Sequence, residues 1–106
     1  MAAKETIGRL SDLEPGTARR FEVAGRPVAV VRIEDDVYAI GDVCSHQNIS
    51  LAEGEVDAEE RTIECWKHGS EFALESGEAL TLPATRPVPV YDVRVEGDDI
   101  VVIIDE

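Results

Sequence analysis

The sequence predicts an all-β fold, with small antiparallel sheets forming a sandwich or a partly open barrel. Apolar and β-branched residues come in short runs, turn-forming residues punctuate them, and no segment of useful length carries a helical period. At 106 residues the chain reads as one domain over 1–106, enough for a modest core and too short for a second catalytic domain.

The elements follow in order. Phe21-Glu22-Val23 is a short run ended by Gly25. Pro27 to Ile33 and Val37 to Ile40 are strands separated by the Asp35-Asp36 turn, and Arg61 to Glu64 is a fourth. Ser76-Gly77 marks another turn. Leu80 to Pro89 carries prolines at 83, 87 and 89, cannot donate a full ladder of hydrogen bonds and reads as loop up to the start of the next run. Pro87 to Val95 alternates imperfectly through Val88, Val90, Val93 and Val95. After Glu96-Gly97-Asp98, Ile100 to Ile104 is unbroken apolar, which predicts a strand buried on both faces. A short helical turn fits near Asn48 to Ala52.

Charge bounds the partners. The net charge is −13, from 23 acidic and 10 basic residues, which disfavours nucleic acid and anionic membranes and favours a basic protein partner. Glu53, Glu55, Asp57, Glu59 and Glu60 form one acidic run and Glu96, Asp98, Asp99, Asp105 and Glu106 another; such runs also serve simply as solvated faces. The opening Met1 to Thr6 has no apolar leader, and no stretch approaches the roughly 18 apolar residues of a membrane span. The expectation is a soluble, cytoplasmic protein.

The chemistry lies in four side chains. The chain has two cysteines and two histidines, and all fall in two clusters, Cys44-x-His46 and Cys65-x-x-His68. Two thiolates and two imidazoles suit either a tetrahedral zinc or a 2Fe-2S cluster in which two histidines replace two cysteines on one iron. Structural zinc sites favour Cys-x-x-Cys and His-x3-5-His pairs. Here each half-motif offers one sulfur and one nitrogen, which fits a cofactor with two different ends. The zinc alternative is a non-redox, zinc-stapled interaction module, and it would be colourless. Both motifs follow predicted strands, so a rigid sheet can hold two opposed loops over one site.

Cys44-x-His46, Cys65-x-x-His68-Gly69-Ser70-x-Phe72, Ser76-Gly77-Glu78-Ala79 and Leu82-Pro83-Ala84, with Leu51-x-x-Gly54 and the terminal Tyr91-x-Val93-x-Val95-Glu96-Gly97-Asp98, resemble the Rieske-type ferredoxins over nearly the whole chain. Two departures stand out. Many members read Cys-Pro-Trp-His-Gly where this chain has Cys65-Trp66-Lys67-His68-Gly69, and the spacing between the loops is towards the long side. Neither touches a ligand; they bear on loop shape and partner choice.

The resemblance implies a Rieske-like fold with a cluster-binding subdomain and one 2Fe-2S cluster. Cys44 and Cys65 would anchor the inner iron, His46 and His68 would hold the exposed outer iron, and a proline-bearing segment would cover the cluster as a third wall. Both histidines are then committed, leaving none for a mononuclear oxygen-activating iron. The chain is therefore expected to carry electrons and not to catalyse. Membrane-bound Rieske proteins add a cysteine to each loop and an anchor; this sequence has no such cysteines.

Formal charges explain the imidazoles. With two ferric ions, two sulfides, two thiolates and two neutral histidines the site is neutral, and one electron makes it −1. Four thiolates would give −2 and −3. Reduction is easier from neutrality, so the potential lies within about −150 to +300 mV. Ser70 falls where a hydroxyl donates to a bridging sulfide, and Phe72 where high-potential relatives carry a tyrosine. One donor present and one missing predict the lower half of that range. Trp66 and Lys67 read as shield or partner contact, with core packing the alternative for Trp66.

The family resemblance implies a one-electron shuttle from a flavin-dependent ferredoxin reductase to a terminal non-haem iron oxygenase. The loops also resemble small Rieske proteins associated with iron-sulfur cluster assembly. Nitrite-reductase small subunits share the fold but often lack the ligands that are intact here.

Overall fold

The computed structural model describes residues 2–44, 49–67, 69–82 and 84–105. Among the described residues nine strands form two antiparallel sheets: β1 (Ala2–Arg9), β2 (Thr17–Val23), β3 (Arg26–Ile33), β4 (Asp36–Gly41), β5 (Glu55–Asp57), β6 (Thr62–Glu64), β7 (Glu71–Ala73), β8 (Val90–Glu96) and β9 (Asp99–Asp105). The larger sheet has the order β1-β9-β8-β4-β3-β2, and the smaller is β5-β6-β7. The all-β expectation holds, with a curled half-barrel and a small second sheet.

The curl arises at β8. Its first two residues, Val90 and Tyr91, pair with Ile40 and Ala39 of β4. From Asp92 to Glu96 it pairs with β9 instead. One strand thus serves two neighbours, and the sheet bends between them.

Strand β3 sets up both cores because its alternating side chains are buried on both faces. Val28 and Val30 pack inside the half-barrel with Val23, Ala39, Ile100, Val102 and Ile104. Ala29, Val31 and Ile33 pack on the opposite face with Cys44, Leu51, Ile63, Cys65, Phe72 and Leu74. The second core glues the small sheet to the large one. On β9, Ile100, Val101, Val102 and Ile104 are buried, close to the two-faced burial expected of this run, with Ile103 only half-buried.

Several boundaries are corrected. The run at Phe21 extends back to Thr17, and the run expected over Pro87 to Val95 starts only at Val90, because Pro87 and Pro89 keep the preceding segment out of the ladder. The helical turn is a 3-10 turn at Leu51–Glu53, and a second occurs at Leu10–Asp12. Strands β1, β5 and β7 were not foreseen. Ala2-Ala3-Lys4-Glu5 has little β propensity and is a strand because β9 pairs with it from Asp105 to Asp99.

A polar clamp joins the sheets at the β5–β6 turn. Arg61 donates to Asp36 Oδ2 at 2.9 Å and to the Tyr38 hydroxyl at 2.6 Å, with its guanidinium 5.9 Å from the Tyr38 ring. The hydrogen bonds it donates, first to Tyr38 and then to Asp36, raise the Arg61 pKa above its ordinary value. Its carbonyl accepts Leu74 N–H at 3.0 Å, so the same residue reaches the segment after β7.

Candidate metal centre

The two cysteines open two loops closed in matched ways. In the second, Glu64 of β6 faces Glu71 of β7, and the next residue, Cys65, donates its N–H to the Ser70 carbonyl at 2.7 Å. In the first, Val43 faces Ser50 in an isolated bridge, and Cys44 donates its N–H to the Ile49 carbonyl at 2.9 Å. Each cysteine therefore opens a tip closed by the carbonyl five positions on. The second tip also folds Gly69 N–H back to the Cys65 carbonyl at 2.9 Å, and Gly69 makes this turn at φ +75°, which glycine adopts without steric cost. The ligand candidates His46 and His68 lie in these tips by sequence and outside the described residues, as does Pro83.

Both cysteines are free and buried, and they share one core with Phe72, Leu51, Ile63, Leu74 and Ala84. Ser70 is also buried. Its hydroxyl oxygen accepts Ala84 N–H at 3.1 Å, which leaves the hydroxyl hydrogen available for an acceptor. Phe72 stands opposite Ile63 and has no exposed surface, so it is a core aromatic, whatever else it does.

The segment after Leu80 is laid along the second loop. Leu80 N–H donates to the Glu71 carbonyl at 2.8 Å; Thr81 Oγ1 accepts Glu71 N–H at 2.8 Å and donates to the Gly69 carbonyl at 3.3 Å. With Ala84 bound to Ser70, this places the proline-bearing segment against the loop as a wall. Trp66 is 56% exposed, so it is not a core residue, and Leu80 and Leu82 are also exposed. Trp66 lines a hollow with Glu53, Glu55 and Glu64.

Residues that the sequence left unassigned prove structural. Asp42 is wholly buried. Its Oδ1 accepts Ala52 N–H at 2.9 Å, and Oδ2 lies 3.3 Å from Arg20 Nη1 without hydrogen-bond alignment. Thr81 gave no local signal at all. The acidic run is partly a sheet face: Glu55, Glu64 and Glu71 stand side by side across β5, β6 and β7. Like charges in that register repel.

The donor set fits a two-ended cofactor. Two buried thiols sit at equivalent places in two matched loops, each with one histidine in its tip by sequence, and a buried hydroxyl beside them has a proton to donate. A single zinc would not call for that pairing of one sulfur and one nitrogen in each loop.

Comparison with known proteins agrees. Residues 4–92 match the model of the Rieske [2Fe-2S] domain. The 3-phenylpropionate/cinnamic acid dioxygenase ferredoxin subunit of Shigella boydii serotype 4 (strain Sb227) is 39% identical over 97 residues, covering 92% of this chain and 90% of that protein. The ferredoxin of carbazole 1,9a-dioxygenase from Nocardioides aromaticivorans IC177 superposes with a TM-score of 0.92 at 40% identity, over 94% of this chain and 96% of that one. A ferredoxin in a complex of reduced oxygenase and oxidized ferredoxin of carbazole 1,9a-dioxygenase gives a TM-score of 0.87 at 37% identity, over 94% and 92%.

Proposed function

Because the chain belongs to the Rieske [2Fe-2S] domain family, its cofactor is one 2Fe-2S cluster and it serves as an electron carrier and not a catalyst; we propose that it shuttles single electrons from a flavin-dependent reductase to a terminal non-haem iron oxygenase. The observation that carries this is the likeness, over nearly full length, to ferredoxin subunits of dioxygenase systems. It favours an oxygenase client over cluster assembly, and an electron carrier over a zinc-stapled module. Among the described residues no helix is long and apolar enough to cross a membrane, and a cytoplasmic site of action is part of the proposal.

When bound, the cluster supplies a site that gains and loses one electron with little change in geometry. Cys44 and Cys65 would hold its buried end, and His46 and His68 its outer end. Thr81 and Ala84 pin the wall that keeps water from the Ser70 side. Exposed Trp66, Leu80 and Leu82 would each supply an apolar contact to the partner, and the carboxylates act at longer range.

The test is reduction of the purified protein by NADH through a flavin-dependent ferredoxin reductase. Uptake of one electron per chain is expected, with rates that fall as salt rises because the negative surface speeds encounter and is screened beyond roughly 8 to 10 Å. A colourless, zinc-loaded protein would overturn the reading. So would a reducible protein whose electrons never reach the matching oxygenase.

Ser70 sets a second expectation. If its free hydroxyl hydrogen is donated to a sulfide, Ser70→Ala lowers the midpoint potential by about 40 to 90 mV, the equivalent of roughly 1 to 2 kcal/mol for one electron. Phe72→Tyr raises it when the new hydroxyl reaches sulfur. Protein-film voltammetry reads both, and unchanged potentials would reduce the two positions to packing.

A further inference from the structure

The two ligand loops are closed differently at their bases. Behind Cys65 lies a continuous ladder, Glu64 opposite Glu71, Ile63 opposite Phe72 and Thr62 opposite Ala73. Behind Cys44 there is one bridge, Val43 to Ser50, and the returning chain enters the 3-10 turn Leu51–Glu53 instead of a strand. The first N–H groups of such a turn have no partner within it.

Asp42 satisfies two of them. Its carbonyl accepts Leu51 N–H at 2.6 Å, and its Oδ1 accepts Ala52 N–H at 2.9 Å. Its own N–H donates to the Pro27 carbonyl at 3.1 Å, which ties the assembly to β3, and Oδ2 faces Arg20 of β2 at 3.3 Å. Among the described residues no other carboxylate is buried. Burying one is costly unless it is paired and hydrogen-bonded, so its retention beside Cys44 requires a reason.

Resting on the reading that Cys44 opens a ligand loop, we propose that Asp42 is the positioning residue of that loop: its carboxylate, bound to Ala52 and paired with Arg20, replaces the β-ladder that fixes the second loop. Its charge has a further consequence. A fixed negative charge near the site opposes an added electron, and Arg20 offsets part of that opposition.

Three variants test this, Asp42→Ala, Asp42→Asn and Arg20→Gln. In the cluster-free protein, amide exchange at Ala52 should accelerate roughly tenfold or more in Asp42→Ala, while Val30 and Val31 in the half-barrel stay protected. Asp42→Asn retains an oxygen for Ala52 N–H and should keep most of that protection. In the loaded protein, Asp42→Ala should lose iron about tenfold faster. Asp42→Asn should keep its iron and show a higher midpoint potential, and Arg20→Gln a lower one.

Wild-type exchange at Ala52 in Asp42→Ala would overturn the proposal, as would equal acceleration at Ala52 and in the half-barrel, which would mean general destabilisation. Equal iron loss from Asp42→Asn and Asp42→Ala, or potentials unmoved in Asp42→Asn and Arg20→Gln, would also overturn it. If the wild-type protein takes up no iron, the cofactor reading fails, and exchange at Ala52 still decides the role of Asp42.

Discussion

Cys65→Ala is expected to purify without colour and with essentially no iron or sulfide. The thiol is buried in the core shared with Cys44, Phe72 and Leu74, and its backbone is held at both ends by Ser70 and Gly69. No other described side chain near it offers a sulfur except Cys44, whose place in the matched loop is already assigned. The fold itself should survive, because truncating a buried cysteine to alanine removes only the sulfur and costs on the order of 1 kcal/mol. Circular dichroism should therefore remain that of a β protein while the visible bands vanish. Cys44→Ala should behave the same way. His46→Ala and His68→Ala remove only the proposed outer ligands and leave both thiols in place, so a damaged cluster is expected in place of a clean loss. Full iron and sulfide content in Cys65→Ala would remove this cysteine from the site.

The contrast between what was legible and what was not follows from which residues carry their signal locally. Cys44, His46, Cys65 and His68 declare themselves because two donors within three or four positions are rare in a short chain, and the strands β3, β4 and β9 because β-branched runs are dense. Strand β1 could not be read: its pairing partner is β9, at the other end of the chain, and the pairing is made by backbone. β5 was hidden inside an acidic run, where only Val56 points to the core side, opposite Ile63. Asp42 reads as a turn residue by composition. Its role depends on Ala52, Pro27 and Arg20 converging on it from three separate segments. Thr81 is likewise informative only once Gly69 and Glu71 are beside it.

Gly54→Ala is expected to be strongly damaging although it adds only one methyl group. Gly54 has φ −84° and ψ −178°, an extended conformation open to any residue, so the constraint is space and not backbone strain. A Cβ built there would lie 1.8 Å from the Glu64 carbonyl oxygen and 2.9 Å from its carbon. That obstacle is main chain, and it belongs to the residue immediately before Cys65, in the strand that carries the second ligand loop. Relief therefore requires either β5 to leave β6, breaking the Glu55–Glu64 and Val56–Ile63 pairs, or β6 to move and displace Cys65. Overpacking typically costs about 1 to 3 kcal/mol, and an immovable backbone partner puts this case at about 3 or more. At roughly 4 °C or more per kcal/mol the apo protein should melt at least about 10 °C lower, and iron retention should fall with it. Gly8→Ala is the control: a Cβ there meets nothing within 4 Å, and a change within about 0.5 kcal/mol is expected. Equal melting temperatures for the two variants would mean that β5 yields without cost, and that the small sheet does not hold Cys65 through Gly54.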